Sequence, residues 1–303
     1  EYIATTRIPR LGLQVVAHQP EAGLAPIGSV LTTRLAFVGL LVSAVILTFT
    51  GLTAGTLISR FQKRIEDVNH NLGDEVARRV GEALRARNAM IFGLAKLAEY
   101  RDTDTGTHLQ RICTYSTLLA RELRDQFSEI TDEWIERLGV AASLHDIGKV
   151  GIPDRILLKP GKLDPEERRI MEKHAEIGGE TLVAIQRQLG DDPMIEMATR
   201  IALGHHERWD GGGYPYSISG EQIPLEARIV SLADVYDALT TKRVYKDAMS
   251  HEKATSIIFE GAGTQFDQRI VAAFERMQKQ FDVTRRCLQP DEAMATHLER
   301  LAA

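Results

Sequence analysis

The stretch HLQRICTYSTLLAREL, His108–Leu123, sets Leu109, Ile112, Ser116, Leu119 and Leu123 at alternating steps of three and four. That is the period of one face of an α-helix, whereas a half-buried strand would alternate every second residue. Downstream, LDPEERRIMEKH, Leu163–His174, carries a helix start in its first residues. Asp164 is placed to cap, Pro165 to occupy the first turn, and Glu167 to close a capping box three residues after the cap. The pattern stays helical with almost no strand signal and no internal repeat, which predicts an all-α domain over residues 89–283 followed by a tail, 284–303.

Upstream the character changes. Leu35–Ile58, LAFVGLLVSAVILTFTGLTAGTLI, holds no charge over 24 residues, more than the roughly 20 that span a bilayer's hydrocarbon core. Residues 35–58 are therefore read as a single transmembrane helix. Arg60, Lys63 and Arg64 crowd its C-terminal side, while Arg34 stands alone among residues 11–34 on the other. By the positive-inside rule the C-terminal portion is expected on the cytoplasmic side of the membrane. Gly51 and Gly55 form a GxxxG pair within the span. Beyond it, Phe61, Ile65, Val68 and Leu72, then Val76, Val80 and Ala83, follow a heptad-like pattern with a stutter. Residues 59–88 read as a parallel coiled-coil linker, which makes a homodimer the expected state.

Ahead of the span, Tyr2–Thr6 and Leu13–Ala17 are strand-like and split by the turn residues Pro9 and Gly12. Two strands are not stable alone, so residues 1–30 are expected to be the tail of a larger extracytoplasmic sensor domain. The phrase TRIPRLGLQVVAHQPE resembles the closing strands of a Cache-type domain.

With 44% hydrophobic and 26% charged residues the chain can bury a core, and a net charge of −5 argues against a nucleic-acid polymer as partner. Cys113 and Cys287 follow no metal or CxxC spacing and read as reduced thiols.

Six of the nine histidines compete for a role: His108, His145, His174, His205, His206 and His251. His205 and His206 stand side by side in HHERWDGGGYP, where glycines must end a helix. Neighbours on a helix point about 100° apart, so the pair either forms a polar helix end or reaches two different metal ions. His145 and Asp146 open HDIGKVGIPD. A carboxylate can bridge two metals with imidazoles in the terminal positions, so one Asp among several His suits a dinuclear site.

These segments together carry a resemblance. From about Glu99 to Phe281, TGTHLQR, HDIGKVGIPD, KHAEIGGE, GHHERWDGGGYP, IPLEARIVSLADVYDALTTKRVYK and GTQFD occur in order, and in this the chain resembles the HD-GYP phosphodiesterases of the HD superfamily. The resemblance implies a helical-bundle enzyme hydrolysing cyclic di-GMP, to pGpG or GMP, with two or three divalent ions, iron or manganese. The metal ligands it implies are His108, His145, Asp146, His174, His205, His206 and Asp234; His251 is left as a surface histidine. Lys149 would sit near the reacting phosphate, Arg243 and Lys246 would grip the substrate phosphates, and Asp102 and Tyr214 would line the pocket. Asp237, one turn after Asp234, reads as a satisfied structural acid. Asp104 stands where many members carry a glutamate that holds a third metal. Being one methylene shorter, it predicts two ions rather than three, or simply caps a helix beginning near Thr105. The chemistry is metal-assisted hydrolysis with no side-chain nucleophile; the contrasting reading is a catalytically silent nucleotide-binding or protein-docking module.

Overall fold

The computed structural model describes residues 2–9, 12–19, 25–101, 107–241 and 248–288. The chain divides into two compact units, Glu1–Glu82 and Ala83–Ala303. In the first, β1 (Tyr2–Ile8) and β2 (Leu13–Gln19) form an antiparallel hairpin with Ala4 opposite Ala17. The two strand-like segments read from the sequence are thus each extended by two residues. The helix α1 covers Ala25–Glu99. By length and composition it could cross a membrane, and its apolar run is bare, with Leu40 and Leu47 each 71% exposed.

The second unit is helical, as the apolar periodicity predicts. It takes in the end of α1 and then α2 (His108–Leu123), α3 (Asp132–Ala141), a short α4 (Asp154–Leu157), α5 (Pro165–Glu172), α6 (His174–Leu189), α7 (Pro193–Gly204), α8 (Leu225–Thr240), α9 (His251–Glu260) and α10 (Gln268–Cys287). The predicted stripe on α2 is buried in full, Ser116 included. Around it α2 packs against α3, α8 and α10, while α7 packs against α3, α6 and α8. Tyr115 of α2 stacks on Phe281 of α10 with centroids 4.4 Å apart, and meets Tyr236 of α8 edge-on at 5.3 Å. Each large apolar side chain buried here contributes about 1.5–3 kcal/mol, so the fold rests on this core rather than on the polar centre beside it.

The helix starts are chemically specified. The capping box at Asp164 forms as predicted, with Pro165 in the first turn. Asp192 caps α7 and is followed by a proline. The helix expected to begin near Thr105 begins at His108, with Thr107 as its cap residue. His251 is not a free surface histidine: it opens α9 half-buried, and its Nδ1 hydrogen-bonds with the Tyr236 hydroxyl at 2.9 Å. The cysteines are unpaired thiols, and burial pushes Cys113 up to about 12.

Candidate metal centre

Four helix ends and one helix face converge. His108 opens α2; His145 and Asp146 lie between two 3-10 turns, Ala142–Leu144 and Ile147–Gly151; His174 opens α6; His205 and His206 follow the last turn of α7; Asp234 sits on α8. Their ligand atoms form two groups: Asp146, His174, His205 and His206 in one, His108, His145 and Asp234 in the other, each within 4.8 Å throughout. Asp146 faces both. Its Oδ2 lies 3.2 Å from His145 Nε2, while Oδ1 lies 3.3 Å from His174 Nε2 and 3.6 Å from His205 Nε2.

The rings are aimed by their other nitrogens. Nδ1 of His145 donates to the Ala142 carbonyl at 2.9 Å, that of His174 to Met171 at 2.7 Å, and that of His205 to Ile201 at 3.0 Å. A carbonyl only accepts, so each neutral ring carries its lone pair on Nε2. Nε2 of all three, and Oδ1 of Asp146, are buried with no hydrogen-bond partner among the described residues. Converging buried lone pairs are costly in the absence of a cation, and imidazole nitrogens beside carboxylate oxygens are the donor set of first-row divalent metals. The residues fit two such ions. His108 is held differently: its Nδ1 donates to Asp237 Oδ2 at 2.7 Å, and Asp237 also accepts from Arg111 Nε at 2.5 Å. Asp237 is therefore the satisfied acid expected, and it also orients a ligand.

Electrostatics separates the rings. Burial, reinforced by the charges of neighbouring histidines, depresses His206 well below the ordinary histidine value and, although Asp146 pulls the other way, brings His174 to about 4. Both stay neutral with lone pairs free. At His145 burial also opposes protonation, but the charges of Asp146 and Asp234 outweigh it and lift the ring to about 9. That spot attracts positive charge. Asp146 is held well below the carboxylate range because Lys149 and His145 outweigh its burial, and Lys149 Nζ lies 2.7 Å from its Oδ2.

One expectation changes: the rings of His205 and His206 lie 4.0 Å apart at 42° and join one ligand group rather than two. The 100° divergence holds only within a helix, and α7 ends at Gly204, so the chain turns before His206. Lys149, expected beside the centre, lies against Asp146 and is mostly buried. Tyr214 comes close as expected, stacking on His206 at 4.7 Å. The tight turn that brings it there needs glycine, since a Cβ on Gly213 would meet Arg208 N at 2.4 Å and Glu207 Cα at 2.5 Å. Asp102, Asp104, Arg243 and Lys246 lie outside the described residues.

Two acids were not singled out from the sequence. Glu207, directly after the His-His pair, is buried and accepts from Tyr216 N at 2.7 Å, anchoring the Tyr214 loop. Glu99 lines a small cavity together with His108, His145, Asp146 and Lys149. Its only sequence signal was its place at the head of the motif series.

Comparison with known proteins agrees with this geometry. Residues 94–270 match the HD domain family. The chain is 46% identical over 241 residues to a Vibrio cholerae protein named "Probable cyclic di-GMP phosphodiesterase", covering 77% of this chain and 55% of that one. It is 48% identical over 203 residues to a "Cyclic di-GMP phosphodiesterase" of the same organism, covering 66% and 41%. A "3'3'-cGAMP-specific phosphodiesterase 2", also from Vibrio cholerae, is 40% identical over 182 residues, covering 60% and 33%. The chain thus spans between a third and just over half of these relatives' lengths. With His145-Asp146, His205-His206 and Gly213-Tyr214-Pro215 set around one centre, the chain belongs to the HD-domain family, in its HD-GYP branch.

Proposed function

We propose that this chain is a membrane-anchored, metal-dependent phosphodiesterase that hydrolyses cyclic di-GMP to pGpG, to GMP, or to both in turn. The observation that carries the reading is the pair of ligand groups meeting at Asp146, one carboxylate oxygen toward each. The relatives' names support the substrate class. His108, His145 and Asp234 would hold one ion, and Asp146, His174, His205 and His206 the other. Iron or manganese ions bound there would supply Lewis acidity and lower the pKa of water.

The chain's own groups do the rest. The Nδ1 hydrogen bonds fix the rings of His108, His145, His174 and His205, so little reorganisation is needed as charge develops. Lys149 puts a compact ammonium beside the centre, where it can steady a phosphate's growing negative charge. Burial raises the Tyr214 phenol, so its hydroxyl stays a neutral donor. Asp102, Arg243 and Lys246 complete the proposed substrate contacts.

The domain layout belongs to the same proposal: a single inner-membrane pass at 35–58, a parallel coiled coil at 59–88, and a cytoplasmic catalytic domain at 89–283 governed by an extracytoplasmic stimulus on a domain ending near residue 30. The exposed apolar run of α1 supports the pass.

The test uses the full chain in lipid nanodiscs, anaerobic and loaded with Fe²⁺ or Mn²⁺, with cyclic di-GMP and 3'3'-cGAMP offered separately. Linear product is expected from cyclic di-GMP. His145→Ala and Asp146→Ala should each lower its rate by more than about a hundredfold, equivalent to several kcal/mol of lost charge stabilisation, with helical circular dichroism unchanged. Binding without turnover would instead assign the chain to the silent signalling modules.

A further inference from the structure

Arg101 lies just past the end of α1 and spends its guanidinium on one stretch of chain. Nη1 donates to the Val150 carbonyl, while Nη2 donates to the Ile152 carbonyl at 3.2 Å and to Asp154 Oδ1 at 2.6 Å. These acceptors run from the end of the 3-10 turn Ile147–Gly151 to the first residue of α4. The same turn carries Lys149, whose Nζ stands 2.7 Å from Asp146 Oδ2.

The contact is suited to placing the turn more than to stabilising the domain. The side chains of Arg101 and Asp154 are 36% and 68% exposed, and an ion pair so open to water contributes little. The two carbonyls are different, because they belong to the backbone. A planar fork that holds both of them fixes the path of the chain between. A 3-10 turn has poorer internal hydrogen-bond geometry than an α-helix, so its shape depends on what grips it from outside. On its other side this turn lies directly against α6, where a Cβ on Gly151 would meet Ile177 Cγ2 at 3.0 Å. The Lys149 turn is therefore held between α6 and Arg101.

We propose that Arg101 is a positioning residue for the hydrolysis: by gripping the downstream end of the turn it keeps the Lys149 ammonium beside Asp146. The inference rests on the phosphodiesterase reading above and adds to it a residue that acts through Lys149, from a helix end 49 residues upstream of the carbonyl it holds.

The test is a double-mutant cycle on the full chain in nanodiscs with Mn²⁺ and cyclic di-GMP, measuring kcat and KM for wild type, Arg101→Ala, Lys149→Ala and the double variant. Arg101→Ala should lower kcat about tenfold and leave KM within about twofold, since a displacement on the order of 1 Å can cost up to about a hundredfold in rate. In the Lys149→Ala background the same substitution should change kcat by less than about twofold, the non-additivity of residues that act through one another. A merely structural role would lower kcat by the same factor in both backgrounds. That outcome, or wild-type kcat in Arg101→Ala, would overturn the proposal. Hydrogen exchange of the metal-free chain needs no turnover: the amides of residues 147–152 should exchange faster in Arg101→Ala, and unchanged exchange would equally overturn it. If Arg101→Ala loses helical content, Arg101→Lys, which keeps the charge but not the fork, decides by the same cycle. A wild-type chain that binds Mn²⁺ without turnover would overturn the phosphodiesterase reading itself, and this role with it.

Discussion

Asp237 accepts from Arg111 Nε at 2.5 Å and from His108 Nδ1 at 2.7 Å while 1% exposed. One carboxylate therefore aims a ligand and neutralises a buried guanidinium. Asp237→Ala is expected to do two separable things. Metal affinity should fall about 10- to 100-fold, the usual cost of losing a ligand's orienting partner. Unfolding free energy should fall by about 3–5 kcal/mol, because Arg111 is left charged and buried. Manganese titration reads the first and urea unfolding of the metal-free chain the second; a variant with lowered affinity and unchanged stability would contradict the dual role. Asp237 was legible in the sequence as a structural acid, from its place one turn after Asp234. What it holds was not, because Arg111 and His108 come from α2, 126 and 129 residues away.

Among the elements, the approach of α6 to the His145-Asp146 turn is set by an absent side chain. A Cβ on Gly148 would meet the His174 carbonyl at 2.0 Å and Gly178 N at 2.4 Å. Those are backbone atoms that cannot rotate away. Gly148→Ala should push the start of α6, and His174 with it, off Asp146. A loss of at least about 1–3 kcal/mol is expected from overpacking, together with weaker metal binding; a variant with wild-type melting and affinity would show that the helices can separate freely. The start of α10 offers a pH test. Asp267 caps it, accepting from Arg269 N at 2.9 Å and Arg228 at 2.8 Å. Burial alone would raise this carboxyl, but the arginines outweigh it and hold it below its ordinary 3.8. A depressed folded-state value means the stabilisation is complete above 3.8 and disappears as pH falls through the lower folded value. The stability gap between wild type and Asp267→Asn should accordingly be constant near neutral pH and close on acidification below 3.8, as followed by denaturant unfolding. A gap that widened in acid would reverse the sign assigned here.

For the whole molecule, the proposed dimer makes a direct prediction. Phe61, Ile65, Val68 and Leu72 are each more than half exposed on α1, an apolar seam a second copy would cover. With Cys113 and Cys287 replaced by serine, a single cysteine at Val68 should give disulfide-linked dimers in native membranes, while one at Asp67, off the seam, should cross-link far less. Equal cross-linking at both positions, or monomer alone, would remove the parallel coiled coil.

What the sequence determined by itself is local: the apolar period of α2, the capping box at Asp164, the end of α7 at the His-His pair, the uncharged run of α1 and the motif series that carries the family. The first three depend on residues within a few turns of one another, where backbone preference and side-chain hydrogen bonding decide the outcome, and the last two are read from residue identity along the chain without any contact. The tertiary structure alone decided which ligands share a group. His205 and His206 fall together because α7 stops before the second ring, His108 is aimed by an acid on α8, and Glu99 of α1 lines a cavity with His108 and His145. These relations come from packing apolar faces far apart in the chain, and the spacing of residues within one segment holds no record of which other segment it will meet.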